Sequence, residues 1–151
     1  MKKAFLFLLV STLLSCQYKK PKQNSTLPIK GTWQLITGTI IEKGDTAVTD
    51  YTKNIAFIKI INDSHFAFLK HDLNKGKGES KVFDAGGGSY TLKDSLYTER
   101  LEYYKQKEWE GGEFAFVVTL KNDTLTQTGI EKVESTGVNR INTEVYVRVK
   151  K

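Results

Sequence analysis

Cysteine is almost absent from this 151-residue sequence: Cys16 stands alone. No intrachain disulfide and no cysteine-built zinc site can form, so the domain must be held by its apolar core. Proline is nearly as scarce, with Pro21 and Pro28 and none afterwards. Proline is excluded from strands paired on both edges, so the proline-free stretch that follows agrees with a closed sheet. Only two histidines occur, His65 and His71. Six residues of extended chain hold them about 20 Å apart, and no cluster of carboxylates supports them, so no metal site is expected. No nucleophile elbow and no acid/base pair stands out, and the reading is of a protein that is not an enzyme and needs no cofactor. The formal charge is +6, of which Lys2 and Lys3 supply two. Lys and Glu are interspersed along the remainder rather than gathered on one face, which speaks against nucleic acid as a partner.

What is present begins with a leader. Met1-Lys2-Lys3 is a positive start, residues 4–14 are apolar, and the run is too short to persist as a membrane-spanning helix. It reads as a signal peptide over residues 1–15. The residues Leu13-Leu14-Ser15-Cys16 resemble the lipobox of bacterial lipoproteins, which implies cleavage before Cys16 and its acylation. Several acyl chains on one residue imply a stable membrane anchor. Residues 16–28 are polar, basic and proline-containing, and read as a lipidated flexible tether. The resemblance further implies a place in the bacterial cell envelope, at the outer membrane facing the periplasm, because Gln17 follows the cysteine.

Residues 29–151 alternate short runs of β-branched and aromatic residues with Asn, Asp, Gly and Ser. Eight strands are expected, near residues 32–41, 54–61, 65–70, 89–93, 96–104, 113–120, 124–130 and 143–150. Tight turns at Asn62-Asp63, Asp94-Ser95 and Asn122-Asp123 alternate with long loops over 42–53, 71–88, 105–112 and 131–142. In an up-and-down antiparallel barrel that alternation puts every short turn at one end and every long loop at the other, giving a closed floor and an open mouth. Period-two alternation assigns an inner face: Trp33, Leu35 and Thr37; Ile58 and Ile60; Phe66 and Phe68; Tyr90 and Leu92; Tyr97, Glu99, Leu101 and Tyr103; Phe114, Phe116 and Val118; Leu125 and Gln127; Tyr146 and Arg148. Gly86-Gly87-Gly88 precedes no helix, so it reads as a bulge or bend rather than a phosphate cradle.

Gly31-Thr32-Trp33 resembles the Gly-x-Trp opening of the lipocalins and fatty-acid-binding proteins of the calycin superfamily. Tyr146-Val147-Arg148 extends the likeness, since a last-strand arginine across the first-strand tryptophan closes the floor in that superfamily. The resemblance therefore implies a plug built from Trp33 and Arg148. Residues 29–150 as a whole, with His65-Phe66-Ala67-Phe68, the stretch from Ala85 to Leu92 and Tyr97-Thr98-Glu99, look like a group of lipocalin-like bacterial lipoproteins. It implies no particular ligand.

The expected function is a membrane-anchored, monomeric binding protein that takes a small amphipathic or hydrophobic ligand into the barrel. Phe66, Phe68, Tyr90, Tyr97 and Tyr103 would line the cavity, and Glu99 would orient the polar group, with Lys70, Arg140 or the ligand as its partner. Trp109 and Arg140 would guard the mouth, Trp109 ahead of the hinge glycines Gly111-Gly112 and Arg140 as a clamp for a carboxylate or phosphate. The alternative is a protein-interaction or inhibitor module of the envelope, with a filled barrel and the segment 131–142 as its contact surface.

Overall fold

A computed structural model describes residues 27–77 and 81–150. The leader, Cys16 and all but the end of the tether lie outside the described residues. The rest is an antiparallel β-barrel of eight staves, consistent with a lipocalin-like fold. Its strands are β1 (Gly31–Glu42), β2 (Asp45–Asp50), β3 (Ile55–Ile61), β4 (His65–Asp72), β5 (Phe83–Lys93), β6 (Leu96–Tyr104), β7 (Glu113–Lys121), β8 (Thr124–Val133) and β9 (Val138–Arg148). Each strand pairs with its neighbours in the order β1-β3-β4-β5-β6-β7-β8-β9, and β9 pairs back onto β1 to close the cylinder.

Nine strands make eight staves because β2 and β3 share one. Facing away from β9, β1 pairs with β3 over Gly31–Gln34 and with β2 over Thr37–Glu42. The segment 42–53, expected as a loop, is thus mostly a hairpin arm. Lys43 and Gly44 form its two-residue turn with φ of 52° and 90°, the left-handed geometry that matches the twist of the flanking strands. Between the two half-staves the chain turns at residues 51–54, and the Tyr51 N–H, donating to the Ile36 carbonyl at 2.9 Å, bridges back to β1.

The floor collects the turns at Asn62, Asp94 and Asn122. The Asn62 side chain accepts from the N–H groups of Ser64 (2.9 Å) and His65 (2.7 Å), while Asp94 and Asn122 take the positive φ that Asp and Asn tolerate. At the mouth end β5 begins at Phe83, six residues earlier than expected, and β8 and β9 run on to a four-residue connection at 134–137. The loops over 71–88 and 131–142 are correspondingly shorter than the sequence suggested. Asp84, Glu131, Arg140 and Asn142 are tolerated on these strands because that face lines the cavity.

Three corrections concern the inner face. On β3 it is Phe57, Lys59 and Ile61 that point inward, with Ile60 outside, instead of Ile58 and Ile60. Both phases of Ile-Ala-Phe-Ile-Lys-Ile-Ile are apolar, so alternation could not choose; a partner for Lys59 inside the barrel decides it. On β1 a bulge at Ile36 flips the phase, so Gly38 rather than Thr37 is buried. On β6 a bulge at Glu102, opposite Gly87-Gly88, turns Tyr104 inward and leaves Tyr103 68% exposed on the outer wall. The glycines permit this crowding, since a Cβ on Gly88 would fall on the Arg100 carbonyl oxygen.

The core fills the lower half of the cylinder. Trp33, Leu35, Ile61, Phe66, Tyr97, Phe116, Val118, Leu125 and Tyr146 are buried there, each large apolar side chain contributing roughly 1.5–3 kcal/mol. Ile29 seals the underside, and its carbonyl accepts the Trp33 indole N–H at 2.7 Å. The Arg148 guanidinium lies over the Trp33 ring at 4.1 Å and donates to the carbonyls of Lys30 (2.8 Å) and Pro28 (2.9 Å). Arg148 therefore stitches the incoming chain to the floor as well as stacking on the indole.

Candidate functional site

Above the core the cylinder is hollow. A cavity of about 410 Å³ opens toward the mouth, a size usual for small-molecule sites. Its position follows from the split second stave: β3 leans away from β1 above Gln34, and Gly38 leaves room for the Tyr51 ring, whose edge would meet a Cβ there at 3.0 Å.

One wall is aromatic. Tyr51, Phe57, Phe68, Tyr104, Trp109 and Phe114 follow one another with ring centroids 5.7, 5.8, 5.7, 6.4 and 5.6 Å apart. Edge and tilted contacts of this kind favour a fixed arrangement of the rings. The arc runs from Tyr51, just after β2, across β3, β4 and β6 to β7, with Trp109 supplied by a 3-10 turn, Lys107–Trp109.

The other wall is polar and comes from β8 and β9. Arg140 donates through Nε to Glu131 at 2.7 Å, and its guanidinium lies 5.5 Å from the Trp109 ring. Asn142 donates to the other Glu131 oxygen at 2.8 Å. Deeper, Glu144 accepts from Gln127 Nε2 and from the Tyr146 hydroxyl, both at 2.7 Å and both through Oε2. Its surface is partly accessible only because it faces the cavity. Burial raises the Glu144 carboxyl above its ordinary value, against the opposing pull of Lys59 and the Tyr146 hydrogen bond. Tyr146 and Tyr97 are pushed upward, chiefly by burial and then by the neighbouring carboxylates, and stay as phenols. Tyr104 is pushed up to about 12 by burial and by the charge of Asp84, to which its hydroxyl donates at 3.2 Å.

Between core and cavity sits an ion pair. Lys59 and Glu99 are 3% and 7% exposed, and the ammonium meets the carboxylate at 2.7 Å and the Gln127 carbonyl at 3.0 Å. The rings of Tyr146, Phe66 and Tyr97 surround the ammonium at 5.4, 5.6 and 5.8 Å. Glu99 thus faces inward as expected, but its partner is neither Lys70 nor Arg140. Lys70 lies at the rim, 5.6 Å from the Tyr51 ring.

Of the residues expected to line the cavity, Phe68, Glu99, Trp109 and Arg140 do so. Phe66 and Tyr97 belong to the core beneath it, with Tyr97 stacked on Tyr90 at 5.1 Å. Tyr90 reaches the floor, where its hydroxyl donates to the Asn62 carbonyl at 2.7 Å. Tyr103 is outside for the bulge reason already given. Arg140 sits on a strand rather than in a loop. The sequence reading missed Lys59, Glu144, Asn142, Glu131 and the aromatics Tyr51, Phe57 and Tyr104. Alternation back from Tyr146 would have found Glu144, Asn142 and Arg140 together. The need of Glu99 for an inward cation could have singled out Lys59, the lysine enclosed by isoleucines.

No protein-family model and no curated protein matches the chain. The site is therefore read from its own chemistry: a pocket with one stacking wall, one hydrogen-bonding wall, and a charge-neutralised base.

Proposed function

We propose that this protein is a lipocalin-like lipoprotein, held to the bacterial cell envelope through acylated Cys16, whose barrel takes up a small amphipathic ligand. The single observation that carries the reading is the division of the cavity into an aromatic arc and a polar wall. A guest with one apolar and one polar side satisfies both at once; a purely apolar guest would leave buried polar groups facing nothing. Uptake rather than turnover is the activity proposed. The lipobox resemblance of Leu13-Leu14-Ser15-Cys16 supports the anchor, with the outer membrane and the periplasm as the proposed location. The alternative of an interaction module has less to stand on, because the expected contact segment 131–142 is mostly paired strand.

Native mass spectrometry and solvent extraction of the protein purified from envelope membranes test the binding reading. A co-purifying small molecule whose removal changes the fluorescence of Trp109, but not that of floor-bound Trp33, is the expected result, with Trp33→Phe and Trp109→Phe variants to separate the two signals. A preparation free of any such molecule, together with no Trp109 response to amphipathic probes, would sink it. Labelling with a palmitate analogue, lost in Cys16→Ser, tests the anchor separately.

A further inference from the structure

The polar wall carries a more specific message about the guest, which rests on the binding reading above. Glu131 does not neutralise Arg140 along its fork: it takes the Nε hydrogen and is itself tied back by Asn142. The two terminal guanidinium nitrogens of Arg140 have no hydrogen-bond partner among the described residues, although the group lines the cavity and its side chain is only 30% exposed. A guanidinium 5.5 Å from an indole ring, anchored at Nε and open at both terminal nitrogens, is arranged for two parallel hydrogen bonds to an oxyanion.

Most of the other charges around the cavity are already paired. Lys59 is matched by Glu99, and Asp84 by Lys105 at 3.2 Å. Glu131 is matched by Arg140, and burial holds Glu144 toward its neutral form. Lys70, 5.6 Å from the Tyr51 ring, has no carboxylate within ion-pair distance among the described residues. The arc begins where this clamp ends, because Trp109 touches both Arg140 and the next rings, Tyr104 and Phe114. A head on the guanidinium would have its body delivered onto flat aromatic surface.

We propose that Arg140 receives the oxyanion head of the ligand, a carboxylate, sulfonate or phosphate, and that the ligand carries a ring-bearing apolar body stacked along the arc from Trp109 toward Tyr51. The probes are 1-anilinonaphthalene-8-sulfonate and its sulfonate-free parent N-phenyl-1-naphthylamine, titrated into the full chain in detergent. Arg140→Gln should weaken the sulfonate about ten-fold or more and leave the neutral parent within about two-fold. Arg140→Lys, which keeps the charge without the fork, should recover only part of the loss. Glu131→Gln/Arg140→Gln, which leaves no unpaired carboxylate, repeats the test should the single variant fold poorly. Equal weakening of both probes, or of neither, overturns the head-group assignment while the cavity reading stands. If neither probe binds the wild type, both readings fail. Displacement of the sulfonate by 1-naphthoate or by 1-naphthyl phosphate upholds the proposal and tells which oxyanion is preferred. Displacement by decanoate as effective as by 1-naphthoate overturns the ring-bearing body.

Discussion

Replacing Lys59 by methionine removes the positive half of an ion pair whose members are almost completely withdrawn from water. Glu99, 7% exposed, would be left charged with no cation to replace the ammonium at 2.7 Å. Breaking one side of such a pair costs about 3–5 kcal/mol, a large part of the roughly 5–15 kcal/mol that keeps a domain folded. Glu99→Gln should cost a comparable amount, because it strands the ammonium instead. The double variant Lys59→Met/Glu99→Gln removes both charges and should return to within about 2 kcal/mol of the wild type. The residue of that loss belongs to the Gln127 carbonyl, which forfeits the hydrogen bond from Lys59 at 3.0 Å. Urea unfolding of all four proteins at pH 7, followed by far-ultraviolet circular dichroism, gives the cycle, and unchanged m-values license the comparison. Singles that cost less than about 1 kcal/mol, or a double variant whose loss is their sum, would refute the reasoning. The pair would then be solvated from the cavity, and it would not be what holds the phase of β3.

Glu144→Gln keeps the acceptor for Gln127 and Tyr146 and removes the ionisation. A carboxyl with a raised folded value stabilises fully below the ordinary value of 4.5 and loses that contribution as pH climbs through the raised value. The variant should therefore gain on the wild type as pH rises above 4.5, by roughly a few degrees in Tm; a gap that does not change with pH refutes it. Arg148→Ala deletes the stack on Trp33 and two bonds to backbone carbonyls, and should lower stability by about 2–4 kcal/mol in urea unfolding, with a red-shifted Trp33 emission. Emission and midpoint both unchanged would show that the floor closes without it. Gly88→Ala drives a methyl onto the Arg100 carbonyl and should cost about 3 kcal/mol or more, seen as loss of soluble protein or of cooperative unfolding. A well-folded Gly88→Ala protein would mean that β5 and β6 can separate at the bulge without penalty.

Several elements were legible from local pattern alone. The turns at Asn62, Asp94 and Asn122 carry their own conformational chemistry, and side-chain period two between them is enough to assign most of β6 to β9. Where alternation is clean, as in Phe114-Ala115-Phe116-Val117-Val118, the burial follows it residue by residue. Errors cluster where the pattern is degenerate or broken. Lys59 lies in a run that is apolar in both phases, and Thr37 and Tyr103 lie just beyond bulges that shift the count by one. A bulge is set by two strands meeting, and neither strand announces it in its own residues unless a glycine run such as Gly86-Gly87-Gly88 hints at the crowding.

The chain by itself determined the antiparallel class, the floor and mouth, and the inward aim of Glu99, because turn chemistry and alternation act over a few residues. Only the closed barrel decided who meets whom. Lys59 and Glu99 are 40 residues apart, and Arg140 meets the Trp109 ring at 5.5 Å from a strand that the sequence offered as a loop. Those pairings depend on shear, bulges and the splitting of one stave between β2 and β3, which are properties of the assembled sheet and of no single segment.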